Sequence, residues 1–491
     1  MHPSAKKLAF LSFISENEVP THLRAKSMLS FSTKRSRRNF LRIGSMGLGG
    51  LGLGGLCLPE LLNAQSAIKK QGSDFATDKS VILLFLHGGP SQIETFDPKM
   101  SAPAGIRSVT GEVQTSIPGL TFGGSFPKLA KLADRLAIVR SFASGDGNHD
   151  IKPVVGKTTF GANIGSVYSR VAGANDPKSG IPKNVGLFPR SVDPSTQKRT
   201  SQFGKFESVG SLGKAYAPFI PGAGGPAQED MKLLLNADRL DDRKTLLTQL
   251  DIAKRQQESL QGVDRVRDQA FSTILGGVAD AFDLSKEDPK TVARYDTAPL
   301  VRPDAISRKW NNYNNYVDNA KSLGKLLLLA RRLCERGCGF VTVSTNFVWD
   351  MHADINNATM TEGMSYMGAP LDHAVSVFLE DLRSRGLDQK IMLVATGEMG
   401  RTPKINAKGG RDHWGGITPL MVAGGGAKVG QVIGQSNADA SRPATTPFNN
   451  SNLVATILHQ LLDVVELRTV TGLPNDVSQI LSRYTPIHGL T

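Results

Sequence analysis

An α/β fold built on a mostly parallel sheet is predicted for this chain of 491 residues by three features of its sequence. Short runs are apolar at every position, helical patterns lie between them, and side chains able to do chemistry stand directly after the runs. A strand apolar on both faces belongs to a parallel sheet covered by helices on both sides. In such sheets ligands bind where loops leave the carboxyl ends of the strands.

The runs follow in order. Val81-Ile-Leu-Leu-Phe-Leu86 ends in His87-Gly-Gly-Pro, Leu136-Ala-Ile-Val139 in Arg140-Ser141, and Phe340-Val-Thr-Val343 leads to Trp349-Asp-Met-His352. Ile391-Met-Leu-Val-Ala395 opens into Glu398, and Pro419-Leu-Met-Val-Ala423 ends in three glycines. Helical spacing spans 320–336 and 371–385, closed by Gly337 and Gly386, where glycine is the usual residue past a helix end. Residues 160–225, rich in Gly, Pro and Ser, read as a surface excursion. Residues 226–300, rich in Asp, Lys, Arg, Gln and Leu, read as a helical insertion. The expected organisation is an extension and signal over 1–66 and a single α/β domain over 67–480, with 160–300 inserted as loops and helices.

Composition supports an ordinary globular protein, 40% hydrophobic and 21% charged. Of the net charge of +14, the first 66 residues supply +6. The rest is dispersed, with no Lys/Arg block interleaved with aromatics, so no nucleic-acid partner is expected.

The leader holds Ser36-Arg-Arg-Asn-Phe-Leu-Arg42, then a Gly/Leu-rich stretch with seven glycines in 43–58 and the small residues of Asn63-Ala-Gln-Ser-Ala67. This is the pattern of a twin-arginine export signal; a buried helix is disfavoured, since each Gly costs about 1 kcal/mol relative to Ala. The pattern implies the twin-arginine export machinery as a partner and a periplasmic or cell-surface location. No stretch is long and apolar enough for a permanent membrane span. Met28 would place the arginine pair at an ordinary distance from a start. Cys57 lies in the leader, and Cys334 and Cys338, four residues apart near a helix end, read as buried thiols.

Four strand ends therefore carry groups able to bind a metal or an anion: His87; Ser141 and His149; Asp350 and His352; and Glu398 with Asp412 and His413. A loop histidine alone is more often a surface or hydrogen-bonding group; convergence of several on one sheet edge makes a shared site. Oxygen and imidazole ligands suit a divalent metal, Zn, Mn, Mg or Ca, with the histidines favouring a transition metal. Arg401 or Arg411 would clamp an anion with a planar fork; the plainer reading pairs them with Glu398 or Asp412. Asp412 could orient His413. Trp414 reads as a core or rim aromatic, and His373 and His459, inside helical patterns, as structural.

The stretches His87-Gly-Gly-Pro-Ser-Gln-Ile-Glu-Thr-Phe-Asp-Pro-Lys99, Leu212-Gly-Lys-Ala-Tyr-Ala-Pro-Phe219, 238–247, Trp349-Asp-Met-His352, Thr396-Gly-Glu-Met-Gly-Arg-Thr-Pro403 and Gly410-Arg-Asp-His-Trp414 resemble the exported family known as domain of unknown function 1501, over 78–465. That family in turn resembles the alkaline phosphatase and sulfatase superfamily, which implies an α/β/α sandwich with metals at its strand ends. The resemblance puts His87 where the first metal acid stands, matches Asp350 and His352 to an Asp and His of the later half, Glu398-Met399 to an Asp-His pair, and His413 to the last histidine. Ser141 would take the nucleophile's place. Sulfatase Cys/Ser-x-Pro-x-Arg signatures are absent, which argues against formylglycine chemistry. The implied function is metal-dependent hydrolysis of phosphate or sulfate esters, with an anionic ester or polymer as substrate. The alternative is a binding or assembly protein that keeps the fold without the chemistry, a reading that Met399 supports.

Overall fold

The computed structural model of the protein describes residues 75–222 and 278–490. The leader over 1–66 and most of the helical insertion expected over 226–300 lie outside the described residues. The strands are β1 (Ser80–Phe85), β2 (Glu112–Gln114), β3 (Thr121–Gly123), β4 (Leu136–Val139), β5 (Asn184–Leu187), β6 (Phe340–Ser344), β7 (Ile391–Thr396), β8 (Gly400–Arg401), β9 (His413–Trp414), β10 (Leu420–Gly424) and β11 (Gln431–Ile433). Seven of them form one sheet in the order β11-β4-β10-β7-β1-β6-β5, while β2 pairs with β3 and β8 with β9 as short ribbons.

Within the sheet β10 alone runs antiparallel to its neighbours. The reason lies in the chain path: β7 ends at the edge where the β8–β9 ribbon sits, so β10 starts at that edge and runs back. The glycines after β10 therefore stand at the opposite edge. Cross-strand register lines up Val139, Leu420, Thr396, Phe85 and Ser344 in one row. Just beyond that row begin the loops carrying Ser141, Glu398, His87 and Asp350.

Both faces of the sheet are buried, as the continuous apolar runs require. Ile82, Leu84 and Leu86 pack into one core with Leu323, Leu327, Val375 and Phe378 from the helices Tyr313–Glu335 and Met360–Ser384. Val81, Leu83 and Phe85 pack into a second core with Val167, Leu453, Ile457 and Leu461 from the helices Ile164–Ala172 and Asn450–Leu461. Each aliphatic so buried contributes about 1.5–3 kcal/mol.

The two long helices end as their glycines predict. Gly386 (φ +67°) donates to Arg383 O and Leu387 to Leu382 O; Gly337 (φ +99°) donates to Cys334 O and Cys338 to Leu333 O, the paired bonds of a Schellman motif. Both start earlier than expected. Thr359 caps the second helix: its hydroxyl accepts from Glu362 N and donates to Glu362 Oε2, and ten helical residues follow before Pro370. Residues 160–222 are more than a surface excursion: they supply the buried helix Ile164–Ala172 and the fully buried strand β5.

Candidate metal centre

Close backbone approach at the sheet edge brings the loops together. Gly88 (φ +114°) follows β1, and a Cβ there would lie 2.6 Å from Asp350 N and 2.8 Å from Trp349 N; only glycine lets the β1 loop press against the loop after β6. His87 O accepts from Val348 N and Trp349 N, both at 3.1 Å, which fixes Asp350 one residue on. Gly88 N donates to both oxygens of the buried Glu398, at 2.9 and 3.1 Å. The β8–β9 ribbon pairs Arg401 with His413, and Gly145 N donates to Gly415 O at 3.0 Å, laying the His149 loop on the end of the ribbon.

Three ligand atoms from three loops converge. His149 Nε2 lies 3.0 Å from His413 Nε2 and 3.3 Å from Asp350 Oδ1, and His413 Nε2 lies 3.2 Å from that same oxygen. Tetrahedral zinc with bonds of about 2.0–2.1 Å has ligand-to-ligand edges of about 3.3 Å, close to this triangle. His149 Nδ1 bonds Glu398 Oε1 at 2.9 Å, so the carboxylate holds a proton on Nδ1 and turns Nε2 to the cluster. This carboxylate–histidine pairing is the usual outer support of a metal-binding imidazole. His413 is the most open of the three, with its side chain 35% exposed. The donor set fits a divalent transition metal.

Charge is arranged around Asp350. Arg401 Nη2 bonds Oδ1 at 2.6 Å, while His352 Nε2 and Asn357 Nδ2 bond Oδ2 at 3.1 and 2.9 Å. Burial alone would raise the Asp350 pKa, but the Arg401 guanidinium and the three imidazoles hold it well below the usual carboxylate range. For His149 burial works downward, and the bonds to Asp350 and Glu398 outweigh it, so its pKa is raised.

The other residues singled out in the sequence lie as follows. His352 touches Asp350 from outside the triangle, through Oδ2. His87 stands at the end of β1, 1% exposed, with its ring among Phe85, Phe203, Phe206 and Phe347 at 5.0–6.0 Å and neither nitrogen hydrogen-bonded among the described residues; burial pushes its pKa down to about 4. Ser141 is buried against Gly434, and among the described residues its hydroxyl has no hydrogen-bond partner.

Arg401 is fully buried and donates to Gly88, Gly89, Trp349 and Arg411 carbonyls as well as to Asp350. Its fork is occupied by the protein, so it acts on Asp350 where the sequence reading offered an anion clamp or a pairing with Glu398 or Asp412. Arg411 is likewise buried, bonded to Glu94 Oε1 at 2.8 and 3.1 Å and to the carbonyls of Pro403 and Ile106. Asp412 is exposed and accepts from Asn406. Sequence reasoning missed Asn357, and it missed the stacked pair Phe203–Phe347 (4.5 Å), which lies 5.1 and 4.8 Å from the His149 ring.

The family model described as protein of unknown function (DUF1501) matches residues 78–483, and the chain belongs to that family. No curated protein matches it in sequence. Among solved structures it is similar to a sulfatase from Pseudoalteromonas sp., with a TM-score of 0.34 and 12% identity over 82% of this chain and 72% of that one. It is also similar to a phosphonate monoester hydrolase from Silicibacter pomeroyi (0.33, 10%, 78% and 73%) and the lipoteichoic acid synthase LtaP from Listeria monocytogenes (0.33, 8%, 81% and 77%). No helix of the described residues is long and apolar enough to cross a membrane.

Proposed function

We propose that the protein is an exported hydrolase of phosphate or sulfate esters that works with one divalent transition metal, zinc or manganese, held by His149 Nε2, His413 Nε2 and Asp350 Oδ1. The observation that carries this reading is the triangle of 3.0, 3.2 and 3.3 Å among those atoms, supported from behind by Glu398 on His149 and Arg401 on Asp350. Such an ion supplies a Lewis acid for an ester oxygen and activates water near neutral pH. The chain's own contribution is to orient the ligands: Glu398 sets the His149 tautomer, Arg401 and Asn357 fix the two oxygens of Asp350, and the Phe203–Phe347 pair screens His149 from water on one side. The ester class comes from the sequence resemblance, and export from the twin-arginine pattern.

A second reading, a binding protein without turnover, draws on a specific observation. Both arginines proposed as anion clamps are occupied by buried acids and carbonyls, Met399 is buried where the superfamily has a second histidine, and among the described residues the Ser141 hydroxyl has no hydrogen-bond partner in the cluster. Protein purified without chelators and assayed for metal and for hydrolysis of aryl phosphates and aryl sulfates separates the two. Stoichiometric metal with turnover abolished in His413→Ala supports the hydrolase. Stoichiometric metal without turnover leaves the binding protein, and absence of metal removes both forms of the site.

A further inference from the structure

A row of asparagine side chains runs from the start of the helix Tyr313–Glu335 into the cluster. Asn357 Nδ2 donates to Asp350 Oδ2 at 2.9 Å, and Asn312 Nδ2 donates to Asn357 Oδ1 at 2.7 Å. Asn315 Nδ2 donates to Asn312 Oδ1 at 3.3 Å, and Asn346 Nδ2 to Asn315 Oδ1 at 3.4 Å. Each amide could in principle face either way, but an ionised carboxylate only accepts. Asp350 therefore obliges Asn357 to present its NH₂, which leaves Asn357 Oδ1 as an acceptor and forces the same sense on Asn312, Asn315 and Asn346 in turn. The negative charge sets the polarity of the whole row.

Three further observations mark the row as more than surface packing. Asn312 occupies the N-cap of its helix, where an Asn side chain ordinarily accepts from the backbone, yet it makes no cap hydrogen bond; its amide is committed to the row instead. Asn357 and Asn346 are each 3% exposed, so an amide there needs its partners. Asn346 and Phe347 both have left-handed backbones, φ +58° and +64°, a conformation that is costly for a residue such as Phe and collects at functional sites. The row ends on that turn, whose Phe347 ring packs 4.8 Å from His149. One chain of amides thus ties the Asp350 carboxylate to the loop that backs His149.

We infer that Asn357 and Asn312 are positioning residues that hold Asp350 with Oδ2 turned to the amides and Oδ1 turned to the two imidazoles, and so set the affinity of the centre for its metal. This inference rests on the metal-site reading above. The pair Asn311–Asn356 supplies an internal control: Asn311 Nδ2 donates to Asn356 Oδ1 at 2.8 Å beside the row, and Asn356 Nδ2 donates on to Asp354 Oδ2 at 3.1 Å, away from Asp350.

The test is titration of metal-free protein with Co²⁺, following the visible d–d absorption and the dissociation constant, for wild type, Asn357→Ala, Asn312→Ala, Asn312→Asp, Asn311→Ala and His413→Ala. Loss of an outer partner of a metal ligand weakens binding by about 10–100-fold. Asn357→Ala should fall in that range. Asn312→Ala should weaken binding by a smaller factor, and Asn312→Asp, which fills the space but cannot donate to Asn357 Oδ1, by at least as much as Asn312→Ala. Asn311→Ala should match wild type. Asn312 is partly exposed, so its variants should keep the fold, which thermal unfolding checks. Wild type that binds Co²⁺ in a His413-dependent manner, with Asn357 and Asn312 variants unchanged in affinity and spectrum, overturns the positioning role and leaves the metal site standing. Wild type that takes up no Co²⁺, or takes it up equally without His413, overturns the metal site and this inference with it.

Discussion

Replacing His87 by leucine should stabilise the metal-free protein, and increasingly so as the pH falls. The imidazole is 1% exposed, surrounded by phenylalanine rings, and among the described residues neither nitrogen has a hydrogen-bond partner. At pH 8 the neutral ring keeps one donor and one acceptor unsatisfied, and a buried unsatisfied polar group costs about 1–3 kcal/mol; leucine of similar volume removes that cost. Its folded pKa is pushed down to about 4 from 6.5. As pH falls through 6.5 the unfolded chain takes up a proton that the folded one refuses, so wild-type stability drops until about pH 4 and then levels off. At about 1.4 kcal/mol per tenfold shift the full loss is about 3 kcal/mol. Urea unfolding of both proteins with chelator at pH 8, 6, 5 and 4 reads the difference directly. The advantage of the variant should start at about 1–3 kcal/mol at pH 8 and widen by about 3 kcal/mol by pH 4. A difference that stays constant with pH, or a less stable variant at every pH, would refute the argument that His87 is buried neutral and unpartnered.

Three other outcomes follow from the same geometry. Arg401→Met removes the guanidinium that bonds the buried Asp350 and should cost about 3–5 kcal/mol in unfolding free energy, with weaker metal binding by titration. Arg411→Met strands Glu94 in the same way, so a similar loss of about 3–5 kcal/mol is expected, but metal affinity should equal that of wild type; the double variant Glu94→Gln/Arg411→Met should recover part of the stability. Because the His149 pKa is raised, its protonated form adds stability below the unfolded value of 6.5 that is lost as pH rises through the folded pKa. A metal must displace that proton from Nε2, so affinity measured by competition with a coloured chelator should fall as pH drops toward and below 6.5, and metal uptake should release protons.

The sheet was legible because its chemistry is local. Apolar runs at 81–86, 136–139, 340–343 and 391–395 became β1, β4, β6 and β7 to within a residue, since a strand buried on both faces has no polar position to blur the pattern. β5, with Asn184 and Gly186, and the half-buried β11 carry no such run, and each is held by pairing to a neighbour. The reversed direction of β10 follows from the ribbon before it, which two-residue strands do not announce.

Within the site, His149, Asp350, Glu398 and His413 could be proposed because each follows a strand end. What sequence could not supply was which atom faces which. Arg401 and Arg411 have the same chemistry as anion clamps and as internal supports, and only their carbonyl and carboxylate partners decide. Asn357 was hidden because asparagine in a loop ordinarily signals a turn; the paired Asn311-Asn312 and Asn356-Asn357 dipeptides were the available clue.

The most direct test of the account is anomalous X-ray scattering from crystals of protein prepared without chelators and supplied with Zn²⁺ or Mn²⁺. One peak is expected about 2.0–2.2 Å from His149 Nε2, His413 Nε2 and Asp350 Oδ1 together, lost in Asp350→Asn. A clean map at that triangle with both ions, or a peak bound by other residues, would contradict it.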